Sequence, residues 1–203
     1  VRFGIEVQYT IEQVRHGIFM DRILRESKSD IVGFFDSDCV PIHDRAVPTA
    51  LAYVTKHKSF VGNAQVANHI GHRNHIYAAS AFYFIWRDTW KRLRHPTFME
   101  VKRKADVAEN VSYEAERAGI RYRALYPTHW EREPNSEGPW PLANYGIYGI
   151  GTTYEYGFYH LYQARQNENI ELFVKRCAEI CSGTFSTEGM RISTDLEIDG
   201  SRG

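Results

Sequence analysis

Apolar positions along this chain alternate between short unbroken runs and helical stripes. Residues 2–7 form a partly alternating run that reads as a strand. From Thr10 a helical pattern follows through Ile11, Val14, Ile18, Ile23 and Leu24, with Thr10 and Gln13 spaced as a capping box. Ser29-Asp30 breaks that pattern. The next run, Ile31-Val32-Gly33-Phe34-Phe35, is apolar at both parities, which predicts a central strand covered on both faces. A helix is expected over 48–57, a strand over Phe60–Val66, and a second buried strand over 77–85. Between the two strands, 68–75 is a polar, histidine-rich loop.

A short basic helix over 87–94 stops at Pro96, and a helix over 105–118 is closed by Gly119, where a left-handed residue is wanted. Residues 120–126 alternate as a strand stopped by Pro127, and 131–141 carry three prolines and a glycine, marking a surface loop. Ile170, Phe173, Val174, Cys177 and Cys181 make one apolar helical stripe expected to face the core. Beyond Ser182 the chain is polar, so one domain over 1–181 with a tail or linker edge over 182–203 is expected. Helices alternating with buried strands are an α/β signature.

Composition narrows the function classes. A chain of 203 residues suits one domain, and 43% hydrophobic with 25% charged residues excludes a disordered or collagen-like chain. Twenty-five basic and twenty-five acidic residues leave no net positive field for a polyanion, so no nucleic-acid partner is expected. The longest apolar run, 77–86, is broken by Ser80 and falls well short of the roughly 20 residues a membrane helix needs. Three sparse cysteines argue for a reducing compartment, and with no signal-peptide pattern a cytoplasmic location is expected. The chain opens at Val inside a strand-like run, which suggests a crop, a processed product or an arbitrary boundary.

Chemistry concentrates at Asp36-Ser37-Asp38, directly after the apolar run. Ligands of open α/β sheets gather at the carboxyl ends of strands. Strand alternation would put Asp36 and Asp38 on one side, where they could share a hard divalent cation.

The segment RHGIFMDRILRESKSDIVGFFDSDCVPI resembles the central part of GT-A-fold glycosyltransferases, above all the broad family two. The resemblance, over about 1–165, implies a mostly parallel Rossmann-like sheet flanked by helices on both faces, here lacking its first strand–helix unit. It implies that Asp38 coordinates Mn2+ or Mg2+ on the diphosphate of a nucleotide-sugar donor, with Asp36 at the ribose or metal. Arg15-His16-Gly17 and Asp21 match donor-contacting positions more loosely. The acidic segment around Asp106 and Glu109 resembles that family's catalytic base, although the adjacent acidic pair usual there is absent, so either acid could serve. His160, among aromatics and followed by Arg165, resembles a histidine that completes the metal shell, with Arg165 helping to neutralise the diphosphate. The acceptor would be a saccharide or other hydroxyl compound, with inversion at the anomeric carbon.

Two other classes compete. FFDSDCV also resembles the first motif of haloacid-dehalogenase phosphatases, where Asp36 would be the nucleophile. That family needs a later acidic pair after a buried strand, whereas Asp195, Glu197 and Asp199 lie in the polar tail. A non-catalytic nucleotide- or carbohydrate-binding module is the third class. His69, His72 and His75 lack companion ligands and read as a polar loop, and Cys177 and Cys181 read as core. Trp130, Trp140, Tyr145 and Tyr148 are candidate stacking surfaces for an acceptor sugar.

Overall fold

A computed structural model describes residues 14–67, 74–102, 104–132, 138–164 and 167–194. The expected strand over 2–7, the capping box at Thr10 and Gln13, His69, His72, Arg165, Asp195, Glu197 and Asp199 lie outside those residues.

Helix α1 (His16–Glu26) turns Met20 and Leu24 into the core and leaves Val14 and Ile18 of the expected stripe exposed. Strand β1 (Ile31–Phe35) follows, then β2 (Cys39–Pro41) and helix α2 (Ala46–His57). The helix closes on Lys58 in the left-handed conformation. Next come β3 (Phe60–Val66) and β4 (Ile76–Trp86), then α3 (Arg87–Arg92), α4 (Glu109–Arg117) and β5 (Arg123–Leu125). These form a four-stranded sheet in the order β1-β4-β3-β5.

A mostly parallel sheet is not what forms. β4 runs antiparallel to both of its neighbours, and only β3 and β5 pair in parallel. The reason is the length of one connection. A parallel return takes a crossover of about a dozen residues or more, usually a helix. Residues 67–75 between β3 and β4 are too few, so β4 doubles back and inserts between β1 and β3. β1, β3 and β5, separated in sequence by helices, still share one direction. Among the described residues β1 is an edge strand with Gly33 exposed, whereas β4 is buried at every position between its ends.

The chain continues through β6 (Pro127–Glu131), the hairpin β7 (Trp140–Pro141) and β8 (Ile147–Tyr148), β9 (Gly151–Tyr154) and β10 (Phe158–Leu161). Helix α5 (Asn167–Ser182) and β11 (Arg191–Ile192) complete it. A second sheet, β11-β6-β9-β10-β2, is antiparallel throughout. The segment after Ser182 therefore contributes a strand, and Ser193 beside it is fully buried.

One face of the first sheet packs under α1, α3 and α4, with Met20, Leu24, Trp90 and Val111 against Phe34, Phe60, Tyr83 and Ile85. The other face meets α2 and the second sheet, where Phe82 stacks on Phe158 at 4.1 Å. No helix among the described residues is long and apolar enough to cross a membrane.

Helix α5 departs from its apolar stripe. Ile170, Val174 and Cys181 are exposed and Cys177 is half-buried, while Phe173 of the expected stripe packs partly buried against the core and Leu172, Ile180 and Arg176 turn inward. The Arg176 guanidinium grips the Glu131 carboxylate with two N–H groups and reaches Glu179 with a third. A largely buried carboxylate needs that partner more than Ile170 or Val174 needs burial.

α1 meets its neighbour backbone to backbone. A Cβ built on Gly17 would lie 2.5 Å from the Met99 amide nitrogen. One turn later the buried Asp21 carboxylate accepts from Phe98 N–H at 3.0 Å and from the Thr97 hydroxyl at 2.8 Å. Gly17→Ala should therefore destabilise the fold by about 1–3 kcal/mol, as overpacking does, read as a lower urea midpoint. An unchanged midpoint would show that 97–99 yields freely.

Candidate functional site

Strand β1 ends at Phe35, and the chain turns at once. Asp36 N–H donates to the Ala81 carbonyl at 2.9 Å, and Cys39 N–H donates to the Asp36 carbonyl at 3.0 Å. A turn over 36–39, rather than strand alternation, sets the two carboxylates side by side. After the turn, β2 pairs with β10 so that Cys39 faces His160, and Leu161 N–H donates to the Asp38 carbonyl at 2.9 Å. This register delivers His160 to the acids from a distant part of the chain.

Asp36, Asp38 and His160 each offer one ligand atom, and the three lie within 4.8 Å of one another. His160 Nε2 is 3.5 Å from Asp38 Oδ1, while its Nδ1 is buried without a hydrogen-bond partner among the described residues. The ring rests against Tyr162 at 4.1 Å. Both carboxylates keep partial exposure, 33% for Asp36 and 24% for Asp38, so the cluster opens to solvent on the acidic side. Two carboxylate oxygens and one imidazole nitrogen suit a Mn2+-like cation, and the spacing leaves them able to converge on one ion. Cys39 beside them is ill placed to act as a thiolate, because burial and the charges of Asp36 and Asp38 push its thiol well up.

Of the loosely matched residues on α1, His16 is the one that reaches the acids, with Nε2 3.3 Å from Asp36 Oδ1. Burial pulls its pKa down against the opposing pull of Asp38, which favours neutral imidazole. Arg15, its neighbour, is exposed at the start of the helix. Asp21 is committed to Thr97 and Phe98.

The second acidic segment is more irregular than the expected helix over 105–118. α4 begins only at Glu109, because Ala108 adopts φ 68° and its N–H donates to the Phe98 carbonyl. The resulting turn presents Asp106, whose Oδ2 accepts from the Tyr77 hydroxyl at 3.0 Å and whose Oδ1 accepts from Val107 N–H at 2.7 Å. Glu109 is fully buried. Its Oε2 accepts from Asp106 N–H at 2.7 Å and its Oε1 faces His75 Nδ1 at 2.7 Å.

A wall of phenols lies between the two acidic centres. Tyr154 and Tyr162 hydroxyls meet at 2.7 Å, Asn63 Nδ2 donates to Tyr162 at 3.4 Å, and Tyr162 lies within electrostatic reach of Tyr148 and Tyr77. Burial pushes the Tyr77, Tyr154 and Tyr162 phenols up, so they remain neutral donors. Trp140 packs beside Tyr148 and Tyr162 at 5.7 and 5.8 Å. Trp130 lies under Arg191 on β6, and Tyr145 is an exposed partner of Tyr126. Of the four candidate stacking residues, Trp140 and Tyr148 therefore lie against the aromatic group that holds His160.

Tyr77 and Tyr162 are contributors that sequence reasoning passed over, and His75, expected to be a loop residue without companions, lies between the carboxylates of Glu109 and Glu116. Tyr162 had a faint signal, two positions after His160 and so on the same side of the chain. Comparison of the chain with known protein families, curated proteins and solved structures finds no match.

Proposed function

We propose that this chain is a metal-dependent glycosyltransferase that moves a sugar from a nucleotide-sugar donor to a hydroxyl acceptor. The observation that carries the reading is the convergence of Asp36, Asp38 and His160 within 4.8 Å at the carboxyl end of β1. The likeness of the acidic segment to family-two glycosyltransferases supports it. The phosphatase reading asks Asp36 to act as a nucleophile, whereas two imidazoles, His16 and His160, stand beside the acids. That donor set suits a cation better than an aspartyl-phosphate.

Asp36, Asp38 and His160 would hold Mn2+ or Mg2+. Bound there, the cation supplies positive charge against which a diphosphate can depart. Arg15, exposed and next to His16 in sequence, would add charge for phosphate oxygens. Asp106 takes the proton from the acceptor hydroxyl as the new C–O bond forms at the anomeric carbon. The bond to the diphosphate breaks, and its electron pair leaves with the nucleoside diphosphate. Attack from the face opposite the leaving group inverts the anomeric centre. Tyr77 donates to Asp106 and steadies its carboxylate.

Calorimetry with UDP and GDP tests the cation-dependent half. Tight binding is expected with Mn2+ and should be lost in EDTA, and equal affinity in both would overturn the reading. His160→Ala should weaken Mn2+ by about tenfold or more. A large fall in melting temperature with unchanged Mn2+ affinity would instead make His160 a packing residue.

A further inference from the structure

Two glutamates on α4, Glu109 and Glu116, stand seven residues apart, which is two helical turns and therefore one face. His75, at the entry to β4, inserts its ring between them. Nδ1 lies 2.7 Å from Glu109 Oε1, and Nε2 lies 3.1 Å from Glu116 Oε1. The ring stacks on Tyr113 at 4.0 Å and 11°, and lies nearly parallel to Tyr77 at 6.1 Å and 16°. Neutral imidazole carries one N–H and one lone pair, so it can satisfy one of these carboxylates and must repel the other. Imidazolium donates to both.

The surroundings favour the charged form. Burial alone would pull the His75 pKa down, but hydrogen bonds to Glu109 and Glu116 and the charges of those two acids outweigh it, so the net shift is upward. Among the described residues, the titratable groups facing the ring are Glu109, Tyr113 and Glu116 from α4 and Tyr77 from β4. Behind them, Arg117 acts on Tyr113, Tyr122 donates to Glu116 at 2.6 Å, and Asp106 accepts from Tyr77.

Two routes lead from this ring to the same aspartate. Through Glu109, whose other oxygen takes the Asp106 N–H, the ring fixes the backbone of Asp106. Through Tyr77, which it stacks against, it fixes the phenol that holds Asp106 Oδ2. We propose that His75 is a positioning residue that, as imidazolium, clamps Glu109 and Glu116 and thereby sets the Asp106 carboxylate for proton transfer. Loss of the proton turns one nitrogen lone pair toward a carboxylate oxygen, so the ring holds only one of Glu109 and Glu116 and the turn over 105–108 loosens. The catalytic half of this inference rests on Asp106 as the proton acceptor; the clamp itself does not.

The direction of the pH effect follows. A histidine whose folded pKa is raised contributes fully below its unfolded value of about 6.5, and that contribution is lost as pH rises through the folded value. The clamp therefore releases on the alkaline side.

NMR on the intact chain reads this without any substrate. The His75 ring should titrate above 6.5, and the Asp106 backbone amide, which donates to Glu109, should shift with the same midpoint. In Glu116→Gln both midpoints should fall together, and in His75→Gln the Asp106 amide should lose that titration. A ring that titrates at or below 6.5, or an Asp106 amide that stays still while the ring titrates, overturns the clamp. With Mn2+ and a panel of nucleotide sugars, His75→Gln should lower kcat by roughly ten- to a hundredfold with donor KM unchanged. Full kcat in that variant overturns the catalytic half. Absence of wild-type turnover with the coupled NMR titration intact counts against the glycosyltransferase reading and supports the clamp.

Discussion

Asp106→Asn should lose turnover by roughly a hundred- to ten-thousand-fold while keeping nucleoside-diphosphate affinity. The substitution keeps size and shape. The amide oxygen can still accept from Val107 N–H while the amide NH2 donates to the Tyr77 phenol oxygen, so the turn over 105–108 and α4 remain in place. What disappears is the ability to take a proton. Asp38→Asn should behave differently, with donor binding and turnover falling together, because it removes charge from the group of ligand atoms that includes His160. Single-turnover rates and calorimetry on the two variants separate the roles. Glu109 offers a clear contrast, since it has no exposure and both its oxygens are engaged within the fold. If Asp106→Asn keeps full turnover while Glu109→Gln loses it, the proton acceptor is Glu109 and the assignment is reversed.

The largest loss of stability is expected from Arg176→Ala, about 3–5 kcal/mol in urea denaturation, the range for removing one partner of a buried ion pair. Arg176 and Glu131 are 12% and 15% exposed, and the guanidinium meets the carboxylate through two parallel N–H groups. The hydrogen bond to Glu131 is the main reason the Arg176 pKa is raised. Tyr159 donates to the same carboxylate at 3.0 Å, so truncation would leave a charge with the Tyr159 phenol as its hydrogen-bond partner among the described residues, between α5 and the second sheet. Replacing both partners, Arg176→Met with Glu131→Gln, should recover part of the loss, because no uncompensated charge is left behind. A loss below about 1 kcal/mol, the range of exposed pairs, would show that α5 is held by its apolar contacts alone.

The acidic half of the candidate site was legible because it is local. Asp36 and Asp38 follow directly on an apolar strand, and no remote contact is needed to place them at its end. Even so, the turn at 36–39 does what strand alternation was expected to do. Arg15-His16-Gly17 and Asp21 belong to one sequence match, yet only the register of the folded chain shows His16 reaching Asp36 while Asp21 holds Phe98. The helix expected from 105 starts four residues late, since the Phe98 carbonyl captures Ala108 N–H and fixes a left-handed turn that no local pattern announces.

By itself, the order of residues determined the elements whose causes lie within a few positions. β1 and β3 match their apolar runs, α2 covers its whole expected stretch and starts two residues earlier, and Gly119 ends α4 with φ 65°. Such features depend on side-chain shape and local backbone freedom, which a short window contains. Only the tertiary structure decided the direction of β4, the pairing of β10 with β2 that brings His160 to Asp38, and the exposure of Ile170 and Val174. Strand direction follows from how far a connection can reach, and register from partners far away in sequence. The rotation of α5 follows from one buried charge outweighing two aliphatic side chains, a comparison that periodicity cannot make because it weighs every apolar position alike.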